Sequence, residues 1–163
     1  MRIAGMIQDS IVDGQGLRFV VFAQGCDFCC DGCHNPETWD KNGGKEMSVG
    51  EIVAEMLRNP LTDGLTLTGG EPFLQAAECA LLAAAARDRG LNVWIFTGYT
   101  FEELAIMAQS DRPAGELLEL VDVLVDGRFI KEERTLQLKW RGSKNQRVID
   151  ARKSLVSGQA VEL

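Results

Sequence analysis

The sequence predicts an α/β fold built on a mainly parallel sheet, and three observations lead there. Short apolar runs alternate with helix-period segments along the chain, the signature of successive βα units. Two helix starts carry capping pairs, Ser48 with Glu51 and Thr100 with Glu103, at the spacing where each side chain satisfies a free backbone amide. The 163 residues suit one domain but fall well short of the ~250 that an eight-stranded β/α barrel needs. Any barrel here is therefore partial, with about five strands and an open side through which a large substrate can enter.

Each element follows from its residues. Ile3 to Ile7 reads as a first strand, and the turn-prone VDGQG leads into FVVFA, Phe19 to Ala23, a buried strand. SVGEIVAEMLRNP is a helix capped at Ser48 and stopped at Asn59-Pro60. Leu65 to Thr68 is a strand that runs straight into Gly69-Gly70-Glu71-Pro72. The Ala- and Leu-rich residues 74 to 89 form a helix closed by Gly90. NVWIFT, Asn92 to Thr97, is a strand followed by the helix TFEELAIMAQ, and VDVLV, Val121 to Val125, is a strand ending at Asp126-Gly127. No repeat, low-complexity tract or linker interrupts the pattern, so residues 1–163 read as a single domain.

The net charge of −7 argues against a general nucleic-acid binder, whose affinity comes from neutralising phosphates. The charge is uneven. Residues 128–153 hold nine Lys/Arg against three Asp/Glu, a net +6 that leaves −13 on the remainder. That segment reads either as a solvated face or as a docking extension for an acidic partner or anionic ligand. The N-terminus has no basic start followed by a secretory apolar run, and no apolar segment has bilayer length. A cytoplasmic protein without a membrane partner is expected.

In that compartment clustered cysteines more often bind metal or act in redox chemistry than form structural disulfides. GCDFCCDGCHNPETW carries Cys26, Cys29, Cys30 and Cys33 in a loop directly after a strand, with Cys79 far downstream. Two triads can be read, Cys26-Cys30-Cys33 or Cys26-Cys29-Cys33, and spacing does not choose between them. A four-thiolate zinc site is awkward, because adjacent Cys29 and Cys30 would have to point at one tetrahedral centre. Three thiolates can instead hold an iron-sulfur cluster and leave one iron open. The second motif, TGGEP at residues 68 to 72, ends a strand where α/β folds bind ligands. Its glycines permit close backbone approach, and Glu71 offers a carboxylate to a cation.

Together these motifs make the chain resemble the radical S-adenosylmethionine (radical SAM) enzymes, and within them the glycyl-radical-enzyme activases. RIAGMIQDSIVDGQGLRFVVFAQGC, WIFTGYTFEEL, VDVLVDGRF and LKWRGSKNQRVID are most similar to the family that activates anaerobic ribonucleoside-triphosphate reductases. The resemblance implies a partial β/α barrel of the radical SAM type. It implies a 4Fe-4S cluster on Cys26, Cys30 and Cys33, the family's C-x3-C-x2-C, with Cys29 an extra thiol. It implies that Gly69, Gly70 and Glu71 bind the amino group of S-adenosyl-L-methionine and that Asp126 lies near its carboxylate. The implied partners are an anaerobic (class III) ribonucleotide reductase, whose glycine loses a hydrogen atom to form a radical, and a low-potential donor such as flavodoxin or ferredoxin.

Two departures from the superfamily stand out. An aromatic residue commonly precedes the third cysteine, but Gly32 stands here, so Phe28 and His34 become candidates for packing against the adenine. Cys29 fills a slot that the pattern leaves free. Bland readings compete elsewhere: Cys79 and Trp39, Trp94 and Trp140 as packing residues, Asp126 as a turn cap, and Arg141, Lys144, Asn145 and Arg147 as surface groups or partner contacts. Two further functions stay open: activation of another glycyl-radical enzyme such as pyruvate formate-lyase, and a zinc-stabilised binding module.

Overall fold

Seven strands and five helices follow one another along residues 1–163, all described by a computed structural model. The strands are β1 (Arg2–Ser10), β2 (Arg18–Ala23), β3 (Lys45–Glu46), β4 (Gly64–Gly69), β5 (Asn92–Phe96), β6 (Val123–Asp126) and β7 (Arg147–Asp150). The helices are α1 (Val49–Met56), α2 (Ala76–Asp88), α3 (Phe101–Met107), α4 (Arg112–Leu120) and α5 (Ala151–Ser157). One sheet runs in the order β3-β1-β2-β4-β5-β6-β7. Its centre, β2-β4-β5-β6, is parallel, while β1 and β3 on one side and β7 on the other are antiparallel.

The expectation of about five mainly parallel strands is thus corrected to a seven-stranded mixed sheet. Two edge strands escaped the sequence pattern because β3 has only two residues and β7 lies inside the basic tail. That tail is woven into the fold rather than appended to it. Its last strand pairs with β6 from Val123–Asp150 to Asp126–Arg147.

Alternation along the strands assigns the two faces of the sheet. Phe19, Val21, Leu65, Leu67, Val93, Ile95, Leu124 and Ile149 belong to a core cluster that draws buried residues from all five helices. The opposite face carries Trp94, Val125 and Val148 in a smaller cluster joined by Phe96 and Trp140. Both capping boxes form: Ser48 and Thr100 accept from the amides of Glu51 and Glu103, whose carboxylates accept in return. Each closes two otherwise unpaired amides at a helix start.

At one end of this helix-free face Arg18 is fully buried. Its guanidinium donates to Thr66 Oγ1 (2.6 Å), Asn92 Oδ1 (2.7 Å) and the Leu65 carbonyl (2.6 Å), and lies 5.4 Å from the Trp94 ring. Burial lowers its pKa to about 10, so it stays charged at neutral pH. No helix is long and apolar enough to cross a membrane.

Candidate functional site

Parallel strands deliver their C-terminal ends to one edge of a sheet, and ligands of α/β proteins bind there. β2 leads into Gln24-Gly25-Cys26, β4 into Gly70-Glu71, β5 into Thr97-Gly98 and β6 into Gly127. A cavity of about 710 Å³ opens at these ends, lined by residues from all four exits and by Phe22, Thr68 and Phe96 from the uncovered face of the sheet.

The two glycines of TGGEP join two strand exits. Gly70 donates its amide to the Ala23 carbonyl (2.8 Å), and Glu71 donates to the Gly25 carbonyl (2.8 Å). Gly69 adopts a left-handed φ of +96°, and a Cβ on it would sit 2.7 Å from Phe22 Cα. A Cβ on Gly70 would run into the Gly25 carbonyl. Absence of side chains therefore brings Glu71 directly beside the root of the cysteine loop.

Glu71 is 1% exposed and lines the cavity. Its carboxylate accepts from the amides of Phe73 (3.0 Å) and Gly98 (2.9 Å), and Thr97 Oγ1 lies 2.9 and 3.0 Å from its two oxygens. Burial pushes its pKa up to about 7, against these hydrogen bonds, which favour the charged form. No Lys or Arg side chain pairs with this buried carboxylate, which leaves it able to accept a cationic group.

The cysteine loop is pinned at its neck. Gly25 and Cys26 donate to the carbonyls of Thr38 (2.7 Å) and Trp39 (3.2 Å), and Gln24 Nε2 donates to those of Glu37 and Asp40. Cys26, Cys30 and Cys33 are half-buried and line the cavity. Cys29 is exposed and off the cavity wall, its backbone left-handed at φ +44° and its Sγ 3.5 Å from the Cys26 carbonyl. Burial raises the pKa of Cys26 and Cys30, so metal binding there has to release the thiol protons.

The aromatic candidates are both engaged at the wall. Phe28 has the Arg128 guanidinium 4.6 Å from its ring centroid and meets Tyr99 edge-on at 4.8 Å. His34 lies 5.1 Å from Phe129. Trp94 and Trp140 pack edge to face at 4.8 Å, and Cys79 is buried in α2. Cys26, Cys30, Cys33, Gly69, Gly70 and Glu71 thus share one cavity, but the Asp126 side chain is turned elsewhere. Its carboxylate accepts from the Phe101 amide (2.8 Å) and from Arg147 Nε (3.0 Å) and Nη2 (2.6 Å). Sequence reasoning did not single out Thr97 or Gln24; the Thr97-Gly98 pair at a strand end was the available signal for the first.

The 4Fe-4S single cluster domain family matches residues 12–149. Proteins named anaerobic ribonucleoside-triphosphate reductase-activating protein match most of the chain. The one from Haemophilus influenzae is 33% identical over 146 residues, covering 83% of this chain and 89% of its own. That of Enterobacteria phage T4 is 36% identical, covering 84% and 86%, and that of Vibrio cholerae 37%, covering 83% and 89%. The chain belongs to this family of activating proteins. The family match takes in the cysteine loop, TGGEP and the tail as far as Ile149.

Proposed function

We propose that this chain activates an anaerobic ribonucleoside-triphosphate reductase, using a 4Fe-4S cluster on Cys26, Cys30 and Cys33 and S-adenosylmethionine bound in the adjoining cavity. One observation carries the reading: three thiols of a single loop and the buried Glu71 carboxylate face the same cavity at the ends of the parallel strands, while Cys29 faces out. Three soft thiolates fit an iron-sulfur cluster and leave one iron for the cofactor.

Cys26, Cys30 and Cys33 would hold the cluster, which would supply one electron for cleavage of S-adenosylmethionine to methionine and a species able to take a hydrogen atom from a glycine of the partner. The chain's own residues position and shield. Glu71, oriented by Thr97 and Gly98, receives the ammonium group, and Gly69 and Gly70 keep it next to Cys26. Phe22, Phe96 and Trp140 keep water from that wall of the cavity. Asp126 acts at one remove, tied to Arg147 so that the strand end at Gly127 is fixed. In this reading the sheet, covered by helices on one face, is the partial β/α barrel of the radical SAM type, and the cavity at its strand ends admits the partner's glycine loop. A flavodoxin or ferredoxin supplies the electron.

Purification without oxygen, with metal analysis and a visible spectrum, tests the cofactor; about four irons per chain are expected. Mixing the reduced protein with S-adenosylmethionine and an anaerobic reductase should give a glycyl-radical signal in electron paramagnetic resonance. One tightly held zinc with no iron would leave only a zinc-stabilised module. A radical formed on pyruvate formate-lyase but not on the reductase would reassign the partner.

A further inference from the structure

The cavity wall holds two acids, Asp13 and Glu71, and a single Lys or Arg, Arg141. Arg141 comes from the basic tail, yet it makes no ion pair, and its Nε is shut off from solvent with no acceptor. A buried guanidinium nitrogen without a partner costs free energy that an incoming anion recovers. Other arginines near the site are committed: Arg147 to Asp126 and Glu102, Arg128 to Glu103 and the Phe28 ring, and Arg18 to backbone and side-chain oxygens of β4 and β5.

The backbone on both sides of Arg141 is fixed. Trp140, left-handed at φ +60°, anchors on Trp94 at 4.8 Å. On the other side, the amides of Gly142 (2.8 Å) and Ser143 (3.2 Å) donate to Gln146 Oε1, whose Nε2 donates to the Gly127 carbonyl (2.8 Å). Gly142 also presses against His34 and Phe129, where an added Cβ would come within 3.3 Å of each. This turn is bolted to the sheet and to the cysteine loop, so Arg141 is held in the wall before any ligand arrives.

We propose that Arg141 is the anion-binding residue of this cavity and that it receives the carboxylate of S-adenosylmethionine, complementing Glu71, which receives the ammonium. The inference rests on the functional reading above. It divides the basic tail by role: Arg141 belongs to the small-molecule site, while Arg134, Lys139 and Lys144 stay exposed and free of ion pairs.

The test measures binding, not turnover. Equilibrium dialysis of the cluster-loaded protein is run with S-adenosylmethionine and with its decarboxylated analogue, on wild type, Arg141→Gln and Arg141→Lys. Arg141→Gln should weaken S-adenosylmethionine by about tenfold to a hundredfold, the worth of a hydrogen-bonded charge, and leave the analogue's affinity unchanged. Arg141→Lys should recover part of the loss. Equal losses for both compounds, or none for either, would overturn the Arg141 assignment alone. A wild-type protein that binds neither compound would overturn the functional reading and this assignment with it.

Discussion

Glu71→Gln separates the charge of this carboxylate from its shape. The folded chain raises the Glu71 pKa from 4.5 to about 7, so it holds the proton more tightly than the unfolded chain. Below pH 4.5 both states are protonated and no penalty applies. As pH rises towards 7 the unfolded chain ionises first, and wild-type stability falls; above 7 the loss is complete and level. At about 1.4 kcal/mol per pKa unit, the full loss is about 3 kcal/mol. Gln carries no charge, but its NH2 faces the amide of either Gly98 or Phe73, a donor against a donor, costing about 1–3 kcal/mol at every pH. Urea unfolding of the cluster-free proteins should therefore show wild type losing about 2.5 kcal/mol relative to the Gln variant between pH 5 and pH 8, enough to close or reverse any lead it holds at pH 5. Stability curves that stay parallel from pH 5 to 8 would show that burial does not govern this carboxylate. An ammonium ligand favours the ionised form. Wild-type affinity for S-adenosylmethionine should therefore rise about tenfold per pH unit up to 7 and then flatten, and affinity of the Gln variant should not change.

Four further substitutions probe the frame. Cys29→Ser should retain iron and cleavage of S-adenosylmethionine while Cys30→Ser loses both; the reverse outcome, read by iron assay, would mean the thiol roles are exchanged. Gly70→Ala forces a methyl group into the Gly25 carbonyl and should cost about 3 kcal/mol in chemical unfolding, so a loss below about 0.5 kcal/mol would contradict the backbone contact. Arg147→Met strands the Asp126 carboxylate, 1% exposed, without its cation, and a stability loss of about 3 kcal/mol is expected by thermal or urea unfolding. An unchanged midpoint would show that this pair does not hold the end of β6.

The parallel centre of the sheet was legible because β2, β4, β5 and β6 are apolar runs bounded by turn residues, and α1 and α3 announce themselves with capping boxes. What stayed hidden has local causes. α4 opens on Asp111-Arg112-Pro113 and contains Gly115, which reads as a break, although Pro113 sits in the first turn where it is tolerated. α5 takes its cap from Asp150, the last residue of β7, so strand and helix share one residue and neither stands out. The direction of the outer strands follows from how the chain connects them, as where β1 turns back into β2 within residues 11–17, and periodicity carries no information about that.

The site divides along the same line. Cysteines and a Gly-Gly-Glu motif are conspicuous by type, but Thr97 and Gly98 reach Glu71 across 26 and 27 residues, a meeting that only the pairing of β4 with β5 creates. The two readings of the cysteine spacing were equal for a similar reason. Along an irregular loop the facing of neighbouring side chains depends on φ and ψ, so spacing says nothing of which of Cys29 and Cys30 faces the cavity. In this conformation the left-handed turn at Cys29 sends that thiol back towards the Cys26 carbonyl and leaves Cys30 on the wall. A non-glycine residue in that region costs of order 1 kcal/mol. Exchanging the two thiols would require the loop to be rebuilt between its pinned ends at Gly25–Thr38 and Cys26–Trp39. The Cys29 and Cys30 variants are therefore expected to differ in kind rather than in degree.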